Sequence, residues 1–468
     1  MIFLARALLV AALAWGAFAF GAVYPWAYWP LVAAMVSVGV AGLVVRANAT
    51  RPSSGLTGLA LGFCAFLVAG CLQLVPMPLV LINRISPETV RVIRQLDFAA
   101  ASGLLARHPV SIAPALTLTS LILFVSNAIL LFGCARLFST RGARRTAEAI
   151  AVLGVALALT GIIQSRFFTG RIYGFWLPME GASPFGPFVN RNHFAGWMLM
   201  ALPLTLGLLL GGLTRARTRG RSTGRERLMW FSSTEASRLI LLAGSALVMA
   251  VALALTMSRS GMSALALAIV LTGATVARRL RNARRTVAVS YLLLLVIVAV
   301  GWVGTGAVAS RFGEARWNNF NDRRGAWEDA IDIARKFPLV GTGLNTYGVS
   351  TLLFQRHDLS RHYEQAHNDF LQLAAEGGLL LMIPAALCLA LLVVLVHRRF
   401  ADDVSERTYW LRVGAVTGLI AIAFQETVDF SLQMPGNAAL FAVLCAIALH
   451  QPEAESGLVS PTGPAPSR

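Results

Sequence analysis

The sequence predicts an all-α, polytopic membrane protein with about twelve transmembrane helices and one large helical loop on its outer side. Three observations carry this. The chain is 56% hydrophobic and only 13% charged, about half the charge of an ordinary soluble domain. Many of its apolar runs approach the ~20 residues needed to cross a bilayer. Its arginines cluster in short segments between those runs, which is how a membrane protein sets its orientation.

In chain order, the predicted spans cover residues 7–23, 27–45, 56–79, 116–132, 149–163 and 194–213, then 239–257, 262–276, 287–309, 379–396, 413–428 and 432–449. The first, led by Arg6 and containing Ala17-Phe18-Ala19, has the look of a signal peptide. The many spans behind it favour a first membrane helix. Residues 1–450 then form a single transmembrane domain, and 451–468, rich in Pro, Ser and Gly, a disordered cytoplasmic tail.

Arginines at 46, 51, 136, 141, 144, 145, 215–227, 278–285, 398 and 399 mark one set of connections. The positive-inside rule puts these in the cytoplasm, with both termini. Segments 83–114, 164–192 and 310–377 and the tight turn 257–261 then face the periplasm, the largest lying between spans nine and ten. They hold most of the His, Asn, Trp and Tyr outside apolar runs, so chemistry is expected on that side. The net charge of +18 is accounted for by orientation, so no nucleic-acid partner is expected. Cys64, Cys71, Cys134, Cys388 and Cys445 are odd in number and lie in or beside apolar runs. That excludes a disulfide framework and a zinc-ligand spacing.

Within segment 310–377, Asp322 is placed to cap a helix from Arg323, on which Arg324, Trp327, Ile331 and Ala334 recur at helical spacing. Phe337-Pro338 ends it. Gly341-Thr342-Gly343 makes a tight turn whose N–H groups are candidates to meet an anion. His367, Phe370, Leu371 and Ala374 again fall on one helical face. His367 is either a buried histidine bonded to a neighbour or a functional one. Asn190-Arg191-Asn192-His193 reads as an interfacial anchor or a site, an arginine on the outer side running against the usual bias. Arg259, in Ser258-Arg259-Ser260-Gly261, sits almost without a loop between two spans. An arginine at mid-membrane costs at least ~2.5 kcal/mol, so it either snorkels to headgroups or meets an anion. Glu426 and Asp429 are placed to pair with one of these arginines.

These pieces resemble the O-antigen ligase and O-antigen polymerase superfamily. The resemblance is carried by Arg324-Gly325-Ala326-Trp327, Phe337-Pro338-Leu339-Val340-Gly341-Thr342-Gly343, Ala366-His367-Asn368-Asp369-Phe370-Leu371-Gln372 and Glu376-Gly377-Gly378. It extends to Gly186-Pro187-Phe188-Val189-Asn190-Arg191-Asn192-His193, Ser258-Arg259-Ser260-Gly261 and Asp429-Phe430-Ser431-Leu432-Gln433-Met434-Pro435. Gly377 and Met382 stand where relatives often have Thr and Gly.

The resemblance implies a C-type glycosyltransferase-like helical fold in the bacterial inner membrane, with its site on the periplasmic face. It implies an undecaprenyl-pyrophosphate-linked glycan donor, a sugar hydroxyl acceptor on a glycan or lipid carrier, and inversion without metal or cofactor. Membrane lipids, a chain-length regulator and a flippase are the implied partners. Arg191, Arg259 and Arg324 would hold pyrophosphate through fork-shaped donors. His367 would be the general base. Asn190, Asn192, His193, Trp327, Gly341, Gly343 and Asn368 would bind or orient substrate. The company of the Asn-Arg-Asn-His and Asp-Phe-Ser-Leu-Gln-Met-Pro pieces favours a polymerase of surface or extracellular polysaccharide by analogy. A ligase to lipid A core or protein is the rival. A lipid-linked sugar transporter is the alternative of another class, which broken helices and mid-membrane charges would mark.

Overall fold

Sixteen α-helices build the described part of the molecule. They are α1 (Ile2–Phe18), α2 (Pro25–Val44), α3 (Ser54–Leu72), α4 (Leu79–Ile85), α5 (Pro87–Leu96), α6 (Phe98–Ala101), α7 (Pro114–Leu137) and α8 (Thr140–Arg166). Then follow α9 (Arg191–Thr218), α10 (Thr234–Leu255), α11 (Arg259–Ala277), α12 (Asn318–Lys336), α13 (Tyr347–Phe354), α14 (Asp369–Ala401), α15 (Glu406–Gln425) and α16 (Pro435–Leu449). The computed structural model describes residues 2–44, 54–138, 140–178, 182–218, 232–277, 318–357, 359, 362–403 and 405–451. The predicted ninth span (287–309), the start of the long loop and the tail from 452 lie outside the described residues.

The protein is an all-α polytopic membrane protein. Among the described residues seven helices are long and apolar enough to cross a membrane, and α1, α16 and the first 15 residues of α11 are shorter apolar helices. The span predicted at 413–428 falls on α15, which begins at Glu406 and ends at Gln425. Apolar side chains that would face water in a soluble protein instead stud α14, where Leu379, Ile383, Leu387 and Val393 are all exposed. A lipid-facing helix requires this surface.

Helix α9 is the axis of the bundle, with Phe194 through Leu202 buried without interruption. Small residues let its neighbours approach. A Cβ at Gly414 of α15 would stand 3.1 Å from the Cα of Gly207 of α9, and one at Gly16 of α1 2.9 Å from that of Gly436 of α16. On α2, Gly39 and Gly42 meet the backbone of Ile129 and Gly133 of α7. Close backbone packing of this kind replaces the hydrophobic drive that lipid removes. Gly42→Val should therefore cost more than the ~1–3 kcal/mol of ordinary overpacking, because backbone opposes it. Thermal unfolding in detergent measures this, and an unchanged midpoint would refute the α2–α7 contact.

Antiparallel packing brings the N-termini of α9, α11, α14 and α16 to one end of the bundle with the C-termini of α8, α10 and α15. The α7–α8 and α14–α15 connections, flanked by helix ends that carry Arg136, Arg141, Arg398, Arg399 and Arg407, lie at the other end. There Arg412, fully buried, makes a two-point ion pair with Asp403 at 2.8 and 3.0 Å and also donates to the carbonyls of Ala448 and His450. At the first end, a two-stranded ribbon, β1 (Met77–Pro78) against β2 (Arg107–His108), closes the segment between α3 and α7. Gln73 joins that segment to the long loop. Its amide N–H donates to Val340 O and Glu376 O, each at 2.8 Å, and its Oε1 accepts the Leu344 N–H.

Candidate active site

The long loop is held by a buried carboxylate. Glu376 accepts the N–H groups of Asn345 (2.7 Å) and Tyr347 (3.0 Å) and the Gln372 amide (3.0 Å), so it secures the start of α13. The Gly341-Thr342-Gly343 turn is built as its left-handed glycines require, with φ of +66° and +110°. Its N–H groups, however, donate to Phe337 O, Ala375 O and Glu376 O. They are spent on the protein's own carbonyls, which corrects the expectation that they meet an anion.

At the end of α9, Asn190 accepts the Asn192 N–H on its side chain (2.9 Å) and caps the helix. The Asn192 carbonyl is held by Gln425 (2.9 Å) and Ser431 (3.3 Å). Arg191 is half-buried in the first turn. His193 is 5% exposed, its ring edge-on to Phe430 at 4.7 Å, with Nε2 3.9 Å from the Asp429 carboxylate. That separation is too long for a hydrogen bond.

The turn between α10 and α11 packs against this corner. Ser258 Oγ accepts the Gly261 N–H and caps α11, and a Cβ on Gly261 would stand 2.9 Å from that of Ala195. Arg259, in the first turn of α11, is half-buried. It has no carboxylate partner among the described residues.

These elements meet at Asp429, which is fully buried. Its carboxylate takes Arg323 Nη2 at 3.3 Å and the Phe430 N–H at 3.0 Å, and it is hydrogen-bonded by the side chains of Asn192 and Ser260. Burial pushes this carboxyl above the ordinary range, and Arg323 and its hydrogen bonds pull it back. Among the described residues Glu426 does not join an arginine. It lies against Asp369, and burial together with that neighbour holds it well above the usual carboxylate range.

His367 completes the cluster. It does not share a helical face with Phe370, Leu371 and Ala374. Its φ is +51°, and Asn368 caps α14 behind it by accepting the Leu371 N–H at 3.0 Å while donating to Thr427 O at 2.8 Å. The His367 carbonyl accepts the Trp327 indole N–H at 3.2 Å, and its ring stands edge-on to Phe430 at 4.8 Å. Phe430 thus separates two imidazoles. His367 Nδ1 is buried without a partner. Burial first, then Arg323, pulls its pKa down to about 4, so the ring is neutral at pH 7.

The α12 expectation needs two corrections. The helix begins at Asn318, so Asp322 is internal to it and does not cap it. Its buried stripe is Ala326, Ala330, Ile333 and Phe337, and Arg323 sits on that stripe. Arg324 is 68% exposed in its side chain and pairs with Glu328 at 2.8 Å. The inward arginine of this pair is 323. The stripe was readable from its i, i+4, i+7, i+11 spacing, and the phase with Arg324 and Trp327 concealed it. His357, whose ring nitrogens lie 3.1 and 2.8 Å from the carboxylates of Glu328 and Asp329, is a brace in the loop. His362 is exposed.

The arrangement is thus a half-buried neutral imidazole near the Arg323–Asp429 pair, with Arg191 and Arg259 next in sequence to Asn192 and Ser260, whose side chains reach the same carboxylate. It offers one proton acceptor and several fork-shaped donors for an anion. Residues 244–386 match the family model described as O-antigen ligase. The match spans the second half of α10 to the first half of α14 and includes Arg259, Arg323, Arg324 and His367. No curated protein matches the chain. The matched domain supports glycosyl transfer of the ligase or polymerase type. This domain supports the resemblance of the chain to the O-antigen ligase and polymerase superfamily.

Proposed function

We propose that the protein is a glycosyltransferase of the bacterial inner membrane, acting on its periplasmic face and polymerising lipid-linked repeat units of a surface polysaccharide. The observation that carries this is His367, whose buried Nδ1 has no partner and whose ring stands against Phe430 next to the Arg323–Asp429 pair. In this reading the donor is glycan on undecaprenyl pyrophosphate. Arg191 and Arg259 bind the pyrophosphate, and Arg323, rather than the exposed Arg324, supplies the third positive charge. His367 removes the proton from an acceptor sugar hydroxyl. The oxygen forms a bond to the anomeric carbon as the bond to pyrophosphate breaks on the opposite face, and the electron pair leaves on the pyrophosphate oxygen, whose negative charge the guanidinium groups balance. Asn192 and Asn368 hold the two helix ends that set this geometry. The segregation of arginine-rich connections at the opposite end of the bundle supports the periplasmic side.

Purified protein given a defined undecaprenyl-pyrophosphate repeat unit should yield longer chains still on the lipid. Glycan appearing on added lipid A core or protein would make it a ligase. Movement of intact donor across vesicles with no new glycosidic bond would make it a transporter. Arg259→Lys should keep less than a tenth of wild-type transfer, because lysine retains the charge but loses the planar fork. Full transfer by Arg259→Ala would instead leave that side chain as a headgroup anchor.

A further inference from the structure

A second constellation lies at the same end of the bundle, outside the acid–base cluster. The α1–α2 turn, with its 3-10 segment Phe20–Ala22, meets a hairpin in the 167–178 connection. Phe20 lies 4.9 to 6.0 Å, centroid to centroid, from Tyr24, Trp26, Tyr173 and Trp176, and Phe175 is stacked on Tyr173 at 6.0 Å and 17°. Much of this ring surface is open, with Phe175 65% and Trp26 47% exposed.

Two features set the cluster apart from an aromatic belt at a membrane interface. A belt works by ring depth, with the polar tips of Trp and Tyr turned to water and headgroups. Here the Tyr173 hydroxyl donates to Phe18 O at 2.7 Å and the Trp176 indole N–H to the Tyr24 hydroxyl at 3.1 Å. Ring orientation is therefore fixed from within.

Backbone strain is also concentrated at this point. Phe20, Ala22 and Tyr173 have φ of +60°, +57° and +55°. Ile172 and Trp176 exchange backbone hydrogen bonds at 2.8 and 3.0 Å around Tyr173 and Gly174, both left-handed. Asn-Gly is the ordinary choice for such a turn. A bulky residue held there costs ~1–3 kcal/mol and persists only where the surroundings impose it.

The platform is tied to the catalytic corner. Gln164 accepts the Tyr173 N–H on its Oε1 and donates to Gly186 O at 2.6 Å. That second contact holds the turn leading to Asn190–His193. The Phe188 ring packs on Gly21.

We infer that this platform is a saccharide subsite that stacks a sugar unit of the glycan beside the reaction centre. The negative faces of fixed rings complement the weakly positive C–H face of a pyranose, and fixing them in advance removes the ordering cost of binding. The inference rests on the glycosyl-transfer reading of the same end of the molecule.

The test uses the full-length protein in detergent and oligosaccharides released by mild acid from the surface polysaccharide of the source bacterium. Saturation-transfer NMR and titration give the affinity. Phe175→Ala and Trp26→Ala should each weaken binding about tenfold. Tyr173→Asn should do the same with an unchanged unfolding midpoint, since asparagine accepts the left-handed turn. Phe98→Ala, an exposed ring on α6, should bind as wild type. Equal affinity in all variants overturns the subsite, as does a wild type that binds no saccharide. Variants that alter only quenching by brominated lipids overturn it in favour of a belt. Saccharide binding lost in the three platform variants supports the subsite even if the wild type transfers nothing, a result that would count against the proposed reaction alone.

Discussion

Replacing His367 with alanine is expected to lower glycosyl transfer by about 10²–10⁴-fold, the usual contribution of a general base, with little change in folded yield. The reason is local. His367 makes no buried side-chain hydrogen bond through Nδ1, and the structural duty of the residue falls on its carbonyl, which accepts from Trp327. Any side chain able to take a positive φ keeps that carbonyl in place, so His367→Asn is the matched control for the left-handed backbone. It too should be inactive.

The pH profile carries a sign. Burial and Arg323 set the folded pKa near 4, below the ordinary value of 6.5. The base form therefore persists through the window from 6.5 down to about 4, and activity should not fall as pH passes 6.5. Because the unfolded chain binds this proton more readily, stability is lost through the same window as pH falls. A kinetic limb at 6.5, or wild-type turnover by His367→Ala, would remove His367 from the base role. His362→Ala should leave transfer unchanged.

The second large effect is expected at Asp429. Asp429→Asn leaves Arg323 without its anion in a corner closed by Phe430, and replaces one of the two oxygens that accept from Phe430, Asn192 and Ser260 with an amide donor. Breaking a buried pair typically costs ~3–5 kcal/mol. Arg323 retains 27% side-chain exposure, so the lower end, about 3 kcal/mol, is expected here. Transfer should fall with it, since the ends of α9 and α11 and the start of α12 are set by this one carboxylate. Arg323→Ala should cost a comparable amount. The double variant should cost less than the sum of the two, because neither charge is then stranded. Unfolding midpoints and transfer rates of the three proteins decide this, and strict additivity would show that the pair is not coupled.

The amphipathic and apolar periodicities of the chain determined its class. Runs such as those of α9 and α14 admit no soluble fold, and the clustering of arginine at 136–145 and 398–399 already separated the two ends of the bundle. The family resemblance implied a common site for Asn190–His193, Ser258–Gly261 and His367; the structure sets His193 and His367 against Phe430, and Asn192 and Ser260 against the adjacent Asp429. The sequence could not decide which neighbours would turn inward. Arg323 and Arg324 differ by 100° of helical rotation, and only the packing of Ala326, Ala330, Ile333 and Phe337 against the loop selects between them. His367 has helical spacing to Phe370 and Leu371, yet Asn368 captures the first turn of α14 and leaves the histidine outside it. The Gly341–Gly343 turn has the composition of an anion cradle, but α14 carbonyls take the N–H groups of Thr342 and Gly343, and Phe337 O takes that of Gly341. In each case local pattern specifies the element, while the phase, the cap and the hydrogen-bond partner are set by contacts between residues distant in the chain. Spacing within one segment carries no information about those contacts.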